Sequence, residues 1–267
     1  MIIDFHTHIF PDKIAKKTIE FLEAEGNVKA YTDGTLEGLI RSMKENRIDI
    51  SVVLPVMTKP EQFETVNRYA AEITGRAGII SFGGIHPDAD GYREKLDRIK
   101  ELGLPGIKLH PDYQKTFIDD PKMVRIIDYA AEIGLIVLIH AGIDIGLPDP
   151  VHCPPSRSAQ MLAGIDRPKA KIVLAHTGGY NQWDEVEEYL VGRNVLFDMS
   201  FSLGRITDDQ FVRIVKNHGA DRILFGSDSP WDGQGKTCEQ LLKLDLTEEE
   251  TGRILFRNAL DLLGLRQ

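Results

Sequence analysis

Apolar residues along the chain gather into short, almost unbroken runs of strand length. They cover Ile2–His6, Asp49–Val56, Ile79–His86, Pro105–His110, Gly134–His140, Lys171–His176, Asn194–Ser200 and Arg222–Asp228. Between them the apolar positions switch to the helical period, as in Thr35–Asn46, Glu61–Gly75, Pro121–Ile133 and Asp208–His218. A strand apolar at every position is buried on both faces, so the pattern predicts a parallel sheet covered by helices. Eight strand–helix units in 267 residues fit a (β/α)8 barrel, which takes about 250 residues. The competing open, doubly wound sheet is disfavoured by the absence of a glycine-rich phosphate-binding turn. No linker or low-complexity tract interrupts residues 1–267, which are expected to form one domain. The longest irregular segment, Ala141–Ser158, reads as a lid or binding loop.

Composition narrows the function classes. A hydrophobic share of 42% and a charged share of 27% are those of an ordinary globular protein. The net charge of −9, with no run of Lys or Arg, argues against nucleic acid as a partner. The two cysteines, Cys153 and Cys238, cannot form a disulfide framework and fit a reducing compartment. The start MIIDFHTHIF lacks the features of a signal peptide, and no apolar stretch reaches the roughly eighteen residues of a membrane span. A soluble cytoplasmic protein is the expectation.

The histidines carry the chemistry. Of eight, six (His6, His8, His86, His110, His140 and His176) close or directly follow a predicted strand. In such barrels the reacting groups stand at the carboxyl ends of the strands, so these imidazoles are expected to meet in one mouth. His6 and His8 alternate with Thr7 and share a face of an extended chain, so both can reach one ion. His140 and His176 end neighbouring apolar strands at equivalent heights. Asp228 ends the eighth, where a buried carboxylate must pair, cap a helix or bind a metal. Lys108 and His110 also share a face; if it points inward, a buried ammonium needs a partner. His86 reads equally as a structural hydrogen bond or a substrate contact. His218, before Gly219, reads as a cation capping a helix end. His152 and Cys153 read as ordinary loop residues.

Taken together, DFHTH, GIHPD, GIKLHP, LIHAG, LAHTGG, GSDSPW and the closing ILFRNALDLLGL resemble the amidohydrolase superfamily. The likeness is to its amidohydrolase-related branch, which includes aminocarboxymuconate-semialdehyde decarboxylase, and it spans Asp4 to Leu265. The resemblance implies that His6, His8, His140 and Asp228 bind a divalent metal, usually zinc, with manganese, iron or cobalt as alternatives. It implies that His176 stands beside the reacting group and that Asp228 moves the proton. One ion per chain is favoured; a second, held with the help of Lys108 or His110, stays open. Relatives in this branch are often dimers, which makes a homodimer the candidate assembly.

Such a site activates a metal-bound water for attack on a carbonyl carbon, so a hydrolase of a small amide, ester or lactone is the first reading. A decarboxylase or hydratase of an unsaturated carboxylic acid needs the same ligands and is the alternative. A non-catalytic binding barrel gains nothing from an open coordination position, and a trinuclear phosphoesterase would need further clustered ligands. Substrate contacts are sought in Arg157, Asp112, Tyr113, Tyr180, Trp231 and His86. Arg157 in the mouth would suit a carboxylate-bearing substrate by bidentate hydrogen bonding.

Overall fold

The computed structural model describes residues 1–266. Its strands are β1 (Ile3–Thr7), β2 (Ile50–Val53), β3 (Ile79–Ser81), β4 (Gly83–Gly84), β5 (Gly106–Leu109), β6 (Ile136–Ile139), β7 (Lys171–Leu174), β8 (Leu196–Asp198) and β9 (Ile223–Leu224). All pairings are parallel, in the order β1-β2-β3 and β4-β5-β6-β7-β8-β9. β3 and β4 are halves of the third barrel strand, separated by Phe82 alone. Phe5 N donates to Phe225 O (2.8 Å) and Asp228 N to His6 O (2.8 Å), which joins the last strand to the first. The eight expected strands therefore close into a barrel wrapped by helices.

The break in the third strand has a local cause. Asn67, on the helix Phe63–Ile73, accepts from Gly84 N and donates to Gly84 O, both at 2.9 Å. Its amide takes over the ladder bonds lost there. Residue 83 must be glycine for this, since a Cβ would lie 2.5 Å from Asn67 Oδ1.

Side-chain parity divides the core into two layers. Ile3, Phe5, Val52, Leu54, Phe82, Ile136, Leu138, Val173, Ala175 and Leu224 fill the barrel interior. Ile107, Leu109, Val137, Ile139, Ile172 and Leu174 face the helices. Lys108 pairs with inward-facing Leu138 at the same height, so the ammonium points into the barrel. In β1 the register slips between Asp4 and Thr7. That irregularity lets Phe5 and His6 both face inward, as a bulge re-aims a side chain next to a site.

Three of the helices read from periodicity are capped as side-chain chemistry requires. Thr35 accepts from Gly38 N at the start of Leu36–Asn46, Asp120 from Lys122 N before Pro121–Glu132, and Thr207 from Gln210 N before Asp208–His218. The expected irregular segment from Ala141 ends earlier, because a helix begins at Pro155 and runs to Ala163. The rest is held against the loop after β7, with Tyr180 N donating to Ala141 O (2.9 Å) and Ile143 N to Tyr180 O (3.0 Å). Among the described residues no helix is long and apolar enough to cross a membrane.

His218 departs from its reading as a capping cation. Its ring is buried and stacked on Phe197 at 4.1 Å; Nε2 donates to Val195 O (2.8 Å) and Nδ1 accepts from Gly192 N (3.1 Å). One nitrogen donates and the other accepts, so the ring is neutral, and burial lowers its pKa to about 4. Between that value and the unfolded value near 6.5, the unfolded chain binds the extra proton, so stability falls as pH falls through this window. We expect a loss of about 3 kcal/mol at most between pH 6.5 and 4 in urea unfolding. His218→Gln, which keeps a donor and an acceptor but does not titrate, should flatten that slope; an unaltered slope would refute the assignment.

Candidate active site

Four strand ends meet where the register slip aims His6 into the barrel. His6 Nδ1 lies 2.9 Å from Asp198 Oδ2, and His8 Nδ1 lies 2.7 Å from the carbonyl oxygen of Leu54. Each Nδ1 faces an acceptor that carries no hydrogen, so each must hold the proton and donate it. Both Nε2 atoms are then bare lone pairs. They stand 3.1 Å apart, and each is 3.2 Å from Asp228 Oδ1. Three acceptors thus converge with no hydrogen among them; the Lys108 ammonium stands against His6 Nε2, 3.3 Å away, so the contacts of His8 and Asp228 still repel unless a further cation fills the space. Ligands about 2.0–2.2 Å from one ion, roughly 90–110° apart, stand about 3.0–3.5 Å from each other. The triangle has that size, and imidazole with carboxylate suits a divalent transition metal.

Electrostatics agree with a site emptied of protons. Burial holds His6 well below the usual histidine range, and the Lys108 ammonium lowers it further. Lys108 is buried beneath the triangle, with Nζ 3.3 Å from His6 Nε2. Desolvation brings its pKa down to about 8, against the pull of Asp198 and Asp228.

A second group stands beside the first. His176 Nδ1 lies 3.0 Å from Ser200 O and so donates, leaving Nε2 to accept from His140 Nδ1 at 3.0 Å. His140 Nε2 is then also a bare lone pair, buried and without a hydrogen-bond partner. It lies 3.9 Å from both Asp112 Oδ2 and Asp144 Oδ2, while His110, stacked on His140 at 4.1 Å, puts Nε2 3.4 Å from Asp144 Oδ2. His140 therefore sits with His110 and Asp144 rather than within the triangle, and His176 bridges the two groups.

Backbone strain concentrates at the same strand ends. His176 (φ 59°), Thr177 (φ 56°), Phe201 (φ 54°) and Asp228 (φ 71°) are all left-handed without being glycine. Each such residue costs of order 1 kcal/mol or more, and a β-branched threonine is the least suited. Thr177 is held there by Thr177 N donating to Asp198 O (2.6 Å) and its hydroxyl to Ser202 Oγ (2.9 Å).

The mouth above opens into a cavity of about 640 Å³. Tyr113, Tyr180 and Trp231 line it, as do His6, His8, Lys108, His110, His140, Asp144, His176 and Asp228. Three of the expected substrate contacts, Arg157, His86 and Asp112, are corrected. Arg157 Nη1 lies 2.8 Å from both oxygens of Asp119, with its guanidinium 4.2 Å above the Phe117 ring, and the residue does not line the cavity. Through Nη1 it ties the start of the Pro155–Ala163 helix to the loop after β5. His86 is likewise absent from the walls: it is buried and its Nδ1 accepts from Asp88 N (3.2 Å), which orders its own turn. Asp112 is occupied by His152, whose backbone N and Nδ1 both lie 3.0 Å from Oδ1. We expect Arg157→Ala to leave KM for an acidic substrate within twofold in steady-state kinetics. The same change should cost about 1 kcal/mol of stability through the lost ion pair and ring contact; a tenfold rise in KM would restore Arg157 to the site.

Reading the sequence missed three participants. Asp198 closes β8 and orients His6; Ser200 holds His176; Asp144 reaches back from the long loop. Asp198 and Ser200 carry a recoverable signal, since FDMS ends an apolar run as the other ligand positions do. Asp144 carries none, because its loop becomes part of the site only by folding back over β6.

Known proteins share this fold. The chain is similar in structure to 5-carboxyvanillate decarboxylase from Sphingomonas paucimobilis, with a TM-score of 0.72, 14% identity and 99% of each chain covered. It is similar to a dihydroxybenzoic acid decarboxylase from Polaromonas sp. JS666, with bound manganese and the inhibitor 2-nitroresorcinol, at a TM-score of 0.72, 15% identity and coverage of 100% and 97%. A TIM-barrel protein from Bordetella bronchiseptica aligns at a TM-score of 0.76, 18% identity and 98% of each chain. At these identities the likeness establishes the barrel fold. A family model described as amidohydrolase matches residues 3–265, the span over which the motifs carry the resemblance. The chain belongs to the amidohydrolase family and is an enzyme of that superfamily.

Proposed function

We propose that this enzyme is a metal-dependent decarboxylase of an unsaturated or aromatic carboxylic acid. One observation carries the reading: three proton-free acceptors meet at the floor of a cavity whose walls are mostly apolar. Its structural relatives, several of them decarboxylases, favour this over hydrolysis, to which the same ligands are equally suited. The ion would be held by His6, His8 and Asp228, with His140 and then His110 as the next donors, at one per chain. Zinc, manganese, iron or cobalt would fit these donors. When bound, a divalent ion supplies Lewis-acid polarisation of substrate oxygens and offsets their charge.

The remaining steps fall to the protein. Loss of carbon dioxide converts a buried carboxylate into a neutral molecule and leaves the electron pair of the broken C–C bond on carbon, which must take up one proton. The apolar walls exclude water from the reacting carbon, so the charge that develops there is met by the fixed groups of the floor rather than by solvent. Asp228 meets the imidazoles through Oδ1, which leaves Oδ2 free to take one proton from water and pass it on to carbon. His176, fixed through Nδ1 by Ser200 O, orients His140. Tyr113, Tyr180 and Trp231 offer aromatic faces to an unsaturated body.

The test is product analysis on the metal-loaded enzyme with a panel of aromatic and unsaturated acids beside esters, amides and lactones. Carbon dioxide with the acid shortened by one carbon is expected. Cleavage of an ester, amide or lactone with no carbon dioxide from any acid would overturn decarboxylation in favour of hydrolysis.

A further inference from the structure

We infer that the substrate is a monoacid whose body, beyond the acid head, is an uncharged hydrocarbon larger than a single ring. This deepens the reading above and rests on the acceptor triangle being the place where the acid head binds. Size is the first ground. A cavity of about 640 Å³ equals the liquid volume of roughly twenty waters at about 30 Å³ each, the range of sites that take drug-sized ligands.

The distribution of polarity is the second ground. All the metal-ligating groups sit at the floor. From there outwards, Ile14, Phe21 and Leu22 of the helix Asp12–Gly26 line one wall, and Val66, Ile143 and Ile145 the others, with Thr18, Thr58, Gln62 and Thr65 as uncharged polar groups between them. The walls meet: a Cβ on Gly26, at the end of that helix, would stand 2.9 Å from Ile145 Cδ1. At the open end, where a surface is normally polar, Phe21 is 59% exposed, Ile14 50% and Ile145 37%. Apolar side chains left in water around a pocket mouth mark a surface that a ligand covers.

Charge is the third ground, and it excludes a second acid group. Glu25 and Glu61 stand on the lining of the outer half, against Lys59. Among the described residues the lining holds no arginine, the residue whose fork matches a carboxylate. The cation at the floor, Lys108, is buried under the triangle with Nζ against His6 Nε2, away from the outer half. A dicarboxylate would bring its outer charge to a rim with two acidic side chains and one lysine. A hydrocarbon body, aliphatic or aromatic, meets neither penalty and gains affinity from each methylene it buries.

Hydroxamates supply a chelating head with a tail of chosen length, and calorimetric titration into the metal-loaded enzyme reads binding without turnover. From acetohydroxamate to octanohydroxamate we expect affinity to rise two- to fourfold per methylene. An ω-carboxylate on the eight-carbon tail should lower affinity at least tenfold. Phe21→Asp, a change at an exposed position, should weaken octanohydroxamate tenfold or more and leave acetohydroxamate within twofold. If acetohydroxamate binds but affinity is flat with length, or the ω-carboxylate binds more tightly, the inference is overturned while the metal reading stands. If acetohydroxamate itself fails to bind, the metal reading fails and the inference falls with it.

Discussion

Replacing His8 by alanine is expected to lower the divalent metal content of the purified chain at least tenfold and kcat on the order of 10³-fold. The physical reason lies in the proton inventory of the triangle. His8 gives its only hydrogen to Leu54 O, so its Nε2 contributes a lone pair and nothing else. Removing it leaves His6 and Asp228 as the close pair, with His140 turned towards His176. Two close donors hold an exchangeable ion far less firmly than three, and losing the ion removes several kcal/mol of charge stabilisation at about 1.36 kcal/mol per tenfold in rate. Inductively coupled plasma mass spectrometry on wild type and variant reads the metal, with circular dichroism confirming the fold. About one ion per wild-type chain is expected. An unchanged content in His8→Ala would place the ion at His110, His140 and Asp144 instead, and two ions in the wild type would mean that both groups are filled.

Asp198→Asn should be nearly as damaging for metal binding, although Asp198 is not one of the three converging acceptors. Asp198 Oδ1 accepts from Ser200 N (3.0 Å), His176 N (3.3 Å) and the Ser200 hydroxyl, so an amide cannot turn its NH2 to that side. The NH2 must replace Oδ2 and face His6 Nδ1. His6 then has to accept at Nδ1, which moves its proton to Nε2, into the space where the three lone pairs converge. Loss of such an orienting partner costs about 10–100-fold in metal affinity. Titration calorimetry should show that loss, and nitrogen NMR of the apo variant should show the His6 proton on Nε2. Unchanged affinity with the proton still on Nδ1 would mean that Asp198 does not set the tautomer.

Legibility varied with the range of the interaction. The parallel barrel was open to reading because each strand is apolar on both faces, a property written in local composition. Helices with a capping Thr or Asp, such as Leu36–Asn46 and Asp208–His218, were legible to within a residue or two. His6, His8 and Asp228 were legible as a group because strand ends in a closed barrel share one rim, so position along the chain already implied proximity. The same logic left Arg157 misplaced. A loop arginine carries a strong preference for a carboxylate but no address, and Asp119 across the loop satisfied it before any substrate could.

The strand and helix periods, the barrel that follows from them, and the rim on which the histidines stand are all readable along the chain. These are consequences of hydrophobic patterning, which acts at every residue and tolerates small errors in distance. Tertiary packing settled which nitrogen of each imidazole keeps its proton. It also decided that a register slip turns His6 inward, that Lys108 lies beneath it, and that Asp144 folds back over β6. Those outcomes depend on ångström-scale contacts between residues far apart in the chain, such as His6 with Asp198 or His8 with Leu54. Hydrogen bonding is directional and short-ranged, so no local pattern encodes it.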